Sequence, residues 1–362
     1  MEFGLQFFPD ISPRERSGQA YWNDCLELVG LCDELGFTQV RTVEHYFEPY
    51  GGYSPNPHIF LTAASQRTRK ARLLTGAVLP VFNHPLKIAG EIGMLDAISN
   101  GRLDCGFGRA FLPHEFHRFG RAMDESRARF EEGVEAVRRL LEEESVTFDG
   151  SFHSFRSVTS LPRPTQQPRP PFWVAALGTP ESVVAAGVKG YHLMLVPFAG
   201  PKMREVFEAY RAAWTKAGHP GRGKIALGYH MFCHASREEA YRIARSNVKR
   251  YFESLVAALQ LDDGWGQGTA SRDYPNYDRH MQKLRETTFE QMLEEGTIWV
   301  GTPDDICRQI QRYCDVVGAF DYASLQINFS AISLEQAQQS MRLFASAVIP
   351  QFRTPVRDPA PA

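Results

Sequence analysis

One repeated pairing constrains this chain more than any other feature: a short apolar run rich in β-branched, leucine or aromatic residues, followed by a longer amphipathic stretch of helical period. The runs are FGLQFF, FTQVRT, RLLTGAVL, LDCGFG, PFWVAAL, YHLMLVP, IALGYHMFCH and YASLQIN. Helical patterns follow them, among them Tyr21 to Leu35, PLKIAGEIGMLDAIS and SREEAYRIARSNVKRYFESLVAAL. Pro57 suits a first helical turn, and Asn100-Gly101 ends the PLKIAGEIGMLDAIS helix in the manner of a C-cap. Eight such units joined by right-handed crossovers close naturally into a ring, whereas doubly wound sheets usually hold fewer strands. The expected fold is α/β: a single (β/α)8 TIM barrel over residues 1–352 with a frayed Pro-rich tail, RTPVRDPAPA, at its end.

Two stretches break the rhythm. Residues 146–170, after the fourth helix, open with VTFDGSFHSF, which reads as a hairpin around Asp149-Gly150. Residues 261–298, before the last βα unit, are polar and aromatic. At 362 residues, length alone does not separate one barrel from two domains, so the count of units decides.

Forty basic against 42 acidic side chains leave no strong net field, so neither nucleic acid nor an anionic membrane is expected as a partner. The six cysteines match no CxxC or zinc-knuckle spacing and read as reduced thiols. MEFGLQFFP enters a strand pattern at once, without a basic or apolar leader, and no apolar run is long enough for a bilayer. The expected location is the cytoplasm.

In such barrels chemistry sits at the carboxyl ends of the strands. There the second strand runs into TVEHYFEPYGGYSPNPH, which places His45 at the rim; locally, a packed loop histidine reads as well as a functional one. After the fourth strand, Gly106 and Gly108 allow close approach, and Arg109 either grips a phosphate or forms a rim ion pair. A dinucleotide fingerprint fits poorly, since its third glycine is replaced around Phe111. Arg127, heading the next helix, is either a second phosphate partner or a surface arginine. His114, Glu115 and His117 do not have the HExxH spacing, and no metal is expected. After the fifth strand, Gly178, Thr179 and Ser182 open a helix at Pro180 and suit an anion at its positive end, or a plain N-cap by Thr179. The second GTP run, Gly301 to Pro303, reads as an N-cap only. No nucleophile elbow, P-loop or Ser-His-Asp signature is present, so covalent hydrolysis is not expected.

VEHYF, TGAVLPVFNHPLKIAGEIGMLDAISNGRLDCGFGRAF, HEFHRFGRAMDESRARFEEGVEAVRRLL, GTPDDICRQIQRY and FASAVIPQF together resemble the bacterial luciferase-like flavin-dependent monooxygenases, nearly from end to end. The resemblance implies reduced FMN bound at the top of the barrel, dioxygen activated as a C4a-hydroperoxyflavin, and a small organic substrate oxygenated. It places His45 as the active-site histidine, Arg109 and Arg127 on the flavin phosphate, and Gly178, Thr179 and Ser182 in the loop completing that phosphate site. Gly76 and Ala77 match the segment that packs against the isoalloxazine ring, sometimes through a non-proline cis peptide. It also implies a separate flavin reductase as partner, since no nicotinamide module is visible, and a homodimer.

The insertion at 261–298 matches a segment that moves over the active site, with Gly264, Gly266 and Gly268 permitting closure and Trp265, Tyr274 and Tyr277 shielding the flavin; a static surface excursion is the other reading. Tyr46, Phe47, Tyr50, Tyr53, Phe111 and Phe198 suggest an aromatic pocket mouth suited to an apolar or aromatic substrate, unless they are structural. Tyr46 stands where many relatives carry a second histidine, and Gly108 where the light-emitting luciferase subunit carries cysteine, so neither light emission nor a reactive thiol is expected. Two alternatives remain on the same barrel: a deazaflavin (F420)-dependent oxidoreductase and a non-catalytic flavin-binding protein.

Overall fold

The computed structural model describes residues 1–198, 200–260, 274 and 286–353. Its strands in chain order are β1 (Glu2–Phe7), β2 (Gln39–Thr42), β3 (Arg72–Thr75), β4 (Leu103–Phe107), β5 (Val146–Asp149), β6 (Ser154–Val158), β7 (Phe172–Ala176), β8 (His192–Leu195), β9 (Ile225–Cys233), β10 (Trp299–Gly301) and β11 (Tyr322–Gln326). Eight of them form a closed parallel ring in the order β1-β2-β3-β4-β7-β8-β9-β11, with β11 pairing back onto β1. Helices follow the ring strands, so the expected TIM barrel is what the chain forms.

The period-2 alternation of each strand divides its side chains between two environments. Phe3, Leu5 and Phe7 of β1 join the large core under the helices. Leu74, Trp173, Met194 and Ala226 instead meet Ala77 in a small cluster inside the ring. Burying each large side chain of these cores contributes about 1.5–3 kcal/mol, so a one-residue slip of any strand would forfeit several such contributions at once.

The insertion after the fourth helix is the antiparallel hairpin β5–β6. Local chemistry fixes the helix ends as well. Asn56 caps the helix Pro57–Arg67 through the His58 N–H, and Asn100 and Gly101 both take positive φ after the helix Pro85–Ile98. Thr302 caps the helix Pro303–Val317 in a capping box with Asp305, as the N-cap reading of the second GTP run required.

The ninth parallel strand, β10, was not legible as a strand because three residues cannot show a period. It forms because β9 is long: residues 226–230 of β9 pair with β11, and Met231, Phe232 and Cys233 run on beyond the ring to pair with β10. Within the stretch 261–298, Thr288 and Gln291 form a capping box on the short helix Phe289–Glu295, which ends at a left-handed Gly296. Gly264, Trp265, Gly266, Gly268 and Tyr277 lie outside the described residues, as does the tail beyond Arg353. No helix among the described residues is long and apolar enough to cross a membrane.

Candidate active site

His45 lies three residues past the end of β2, buried to 6% exposure. Its Nδ1 is 3.0 Å from Oε1 of Glu115, and the same oxygen accepts the Tyr46 backbone N–H at 2.8 Å. Glu115, on the short helix Pro113–Arg118, is fully buried. A carboxylate holding Nδ1–H fixes the imidazole tautomer and leaves Nε2 with the basic lone pair. Phe8, Tyr50 and Phe111 close around the imidazole at ring-centroid distances of 5.4, 5.5 and 5.6 Å.

Sequence reasoning weighed Glu115 only as a metal ligand and missed it as the partner of His45. The signal was weak: 70 residues separate the two, and only the loop after β4 folding over the end of β2 joins them. The neighbouring histidine of that motif, His114, has another task. His114 is buried, with Nδ1 3.1 Å from the Ala258 carbonyl and Nε2 3.3 Å from the Tyr46 carbonyl.

Glu44, beside His45, is a second buried carboxyl. Burial pushes it up to about 8, while hydrogen bonds from the Tyr46 hydroxyl, the Leu79 N–H (3.0 Å) and Asn83 Nδ2 (2.6 Å) pull the other way. These donors bind the loop after β2 to the loop after β3, so Glu44 supports the rim on which His45 stands.

The other candidates also sit at carboxyl ends of ring strands. Gly76 and Ala77 directly follow β3, are buried, and are joined by a cis peptide. Arg109 stands two residues past β4, its guanidinium carbon 4.8 Å from the ring centroid of Tyr274, whose hydroxyl donates to the Ala110 carbonyl at 2.7 Å. A Cβ added at Gly108 would lie 3.2 Å from the Ala77 Cβ, so the ends of β3 and β4 touch there and a larger residue would wedge them apart. Gly178 follows β7 with φ +82°, where a side chain would meet the Phe198 ring. The Thr179 hydroxyl donates to that of Ser182 at 2.8 Å and makes no capping bond to the helix Pro180–Val188. Plain N-capping by the Thr179 side chain is therefore not what the structure shows. Arg127 is exposed on the first turn of the helix Ser126–Glu142, in the same βα unit as Arg109.

The ring order brings the ends of β2, β3, β4 and β7 side by side, and with them His45, Gly76, Ala77, Arg109, Gly178, Thr179 and Ser182. Of the aromatic residues, Tyr50 and Phe111 flank His45, while Tyr46 and Phe47 pack on Phe119. Tyr53 instead packs against Tyr21 and donates its hydroxyl to the Arg16 carbonyl. A pocket lined by Glu2, Lys224, Asp321 and Tyr322 lies at the opposite, amino-terminal end of the strands and borders none of the candidates.

A sequence profile described as luciferase-like monooxygenase matches residues 1–319. The chain is 28% identical to the oxygenase component of the flavin-dependent trigonelline monooxygenase of Acinetobacter baylyi, over 97% of this chain and 96% of that one. The crystal structure of monooxygenase RslO1 from Streptomyces bottropensis superposes with a TM-score of 0.86 at 42% identity, covering 98% of this chain and all of the other. The oxygenating constituent of 3,6-diketocamphane monooxygenase from Pseudomonas putida, a type II Baeyer–Villiger enzyme in complex with FMN, shares the fold at 21% identity and TM-score 0.78, covering 98% and 99% of the two chains. F420-dependent enzymes share the fold too, at 18% and 19% identity.

Proposed function

This chain belongs to the luciferase-like monooxygenase family, and from that premise we propose that it is the oxygenase of a two-component system, taking reduced FMN from a separate flavin reductase and oxygenating a small apolar or aromatic substrate. The observation that carries this reading is the buried His45–Glu115 pair on the barrel rim, beside the ends of β3 and β4.

The residues present fit the cofactor. Arg109 offers a planar fork of donors, and the helix Pro180–Val188 points its positive end outward with two hydroxyls, Thr179 and Ser182, at its start. These groups, with Arg127, would hold the phosphate. The small residues Gly76 and Ala77, directly after β3, would let a flat ring approach the backbone there. When bound, the flavin supplies the activation of dioxygen. The chain's own share is to orient the ring, to keep water out with Phe8, Tyr50 and Phe111, and to hold or release a proton at Nε2 of His45.

An anaerobic titration tests the reading against the deazaflavin alternative. The protein should bind reduced FMN at least tenfold more tightly than reduced F420, and on mixing with oxygen the bound flavin should reoxidise more slowly than free reduced FMN. Equal or inverted affinities would favour the hydride-transfer enzyme, and unaltered reoxidation would favour a binding protein. Conversion of an organic acceptor by wild type, absent in His45→Ala, would exclude the non-catalytic alternative.

A further inference from the structure

Across four adjacent ring strands, the inward-facing residues at one level are polar. The register pairs His230 of β9 with Gln326 of β11, Gln326 with Gln6 of β1, and Gln6 with Arg41 of β2, so the four side chains form one continuous arc. All are buried, to between 1% and 9% exposure. Gln326 is satisfied, donating Nε2 to the Phe8 carbonyl at 2.9 Å. The others are not. Among the described residues, Gln6 Oε1, Arg41 Nε and His230 Nε2 have no hydrogen-bond partner, and the Arg41 guanidinium makes a single long bond of 3.3 Å, from Nη2 to the Gly76 carbonyl.

A buried guanidinium without a carboxylate is a costly arrangement. Burial lowers Arg41 to about 10, which still leaves it charged at neutral pH. Among the described residues the ionisable neighbour acting on it is Tyr251, and burial raises that phenol well above its ordinary range, so it offers no counter-charge. His230, lowered to about 3 by burial, is neutral. Two glycines make room for the arrangement. A Cβ at Gly76 would collide with the Arg41 side chain at Nε, and one at Gly228 would lie 3.0 Å from Gln6 Oε1 and 3.8 Å from Arg41 Nη1. The arc is thus a cradle of unspent hydrogen-bonding groups carrying one net positive charge. It lines the wall of the barrel opposite β4 and β7, where Arg109 and Gly178 stand.

We propose that the arc His230–Gln326–Gln6–Arg41 is a binding site for an anionic oxygen on a planar molecule, with Arg41 supplying the charge and Gln6 and His230 fixing orientation. Two sources could bring that oxygen to a site opposite the phosphate candidates. One is the N1–C2=O edge of reduced flavin, whose negative charge a nearby cation stabilises; this source rests on the function proposed above. The other is a carboxylate, phenolate or enolate of the substrate, which would narrow its class to acidic aromatic molecules. A polar site of this kind discriminates strongly, because a ligand lacking the oxygen leaves its groups buried and unpaired.

The test compares wild type with Arg41→Gln and Gln6→Leu in the full chain. The midpoint potential of bound FMN reads the first source, and calorimetric binding of salicylate to the FMN-loaded protein reads the second. If the flavin edge occupies the arc, Arg41→Gln lowers the potential by about 30 mV or more, a tenfold loss of preference for the reduced form, and leaves salicylate binding unchanged. If the substrate oxygen does, Arg41→Gln weakens salicylate at least tenfold at unchanged potential. In either case its thermal stability should hold or rise, since an uncompensated buried charge has been removed. Unchanged potential and unchanged salicylate binding would overturn the proposal, the more so with a fall in stability, which would make Arg41 a structural residue. Should Arg41→Gln not fold, Arg41→Lys and Gln6→Leu carry the same readouts. Failure of wild type to bind reduced FMN would count against the proposed function, and the salicylate arm on the apoprotein would still decide the arc.

Discussion

Arg72 and Arg41 stand on neighbouring strands, β3 and β2, inside one barrel, and their surroundings are opposite. Arg72, toward the amino end, grips Asp104 with Nε at 2.9 Å and Nη2 at 2.8 Å, and Nη2 also reaches the Leu103 carbonyl and Gln166 Oε1. Arg41, toward the carboxyl end, has the Gly76 carbonyl and no acid among the described residues. Asp104 is nearly fully buried, and the fork-on-carboxylate geometry is the sort that holds a fold together. An unmatched guanidinium does the reverse, because it weakens the fold and survives where a ligand completes it. The contrast teaches that one end of this barrel pairs its inward arginine with a buried carboxylate, while the carboxyl end leaves its own without one among the described residues.

The contrast breaks most sharply if His45 proves dispensable. His45→Ala should cut turnover of an acceptor found by an oxygen-uptake screen by about 10²–10⁴-fold, and should also lower the unfolding midpoint, because it leaves the buried Glu115 without its partner. A stability loss without a turnover loss would place His45 with the structural end. At the amino end the opposite signature is expected. Asp104→Ala should cost about 2–3 kcal/mol in urea denaturation, below the full cost of splitting a buried pair because the Arg72 side chain is 31% exposed, and should leave FMN affinity intact.

Glu115→Gln sharpens the comparison from inside the active rim. With the imidazole's orienting partner weakened, turnover should fall by about 10–100-fold, less than for His45→Ala, and the pH profile of turnover should shift. An unshifted profile would reduce Glu115 to a packing role.

The smallest effect is one of pH. Between the ordinary carboxyl value and about 8, folded Glu44 holds a proton that the unfolded chain has released, so its contribution to stability declines as pH rises through that window. The melting temperature of wild type relative to Glu44→Gln should therefore fall from about pH 5 to about pH 9, as followed by calorimetry. A difference that stays flat would mean that the three donors on Glu44 outweigh burial and keep it ionised throughout.

The ring itself was legible because each strand carries its own period-2 signature and each helix its own caps, as at Asn56 and Asn100-Gly101. β10 was not, since it depends on β9 overrunning the ring rather than on three residues of its own. His45 and Arg109 were visible from their position after a strand, and Gly76 and Ala77 through resemblance to a family. Glu115 was visible only as a failed metal motif.

What the sequence determined by itself was the barrel and the residues that follow each strand. These are local facts, set by alternation, capping and order along the chain. The tertiary structure alone decided that Glu115 meets His45 across 70 residues, that Asp104 neutralises Arg72, and that Gln6, Arg41, His230 and Gln326 share one level of the ring. The physical reason is register. Which inward-facing side chains stand level depends on how eight strands slide against one another on closure, and no single strand's sequence contains that information.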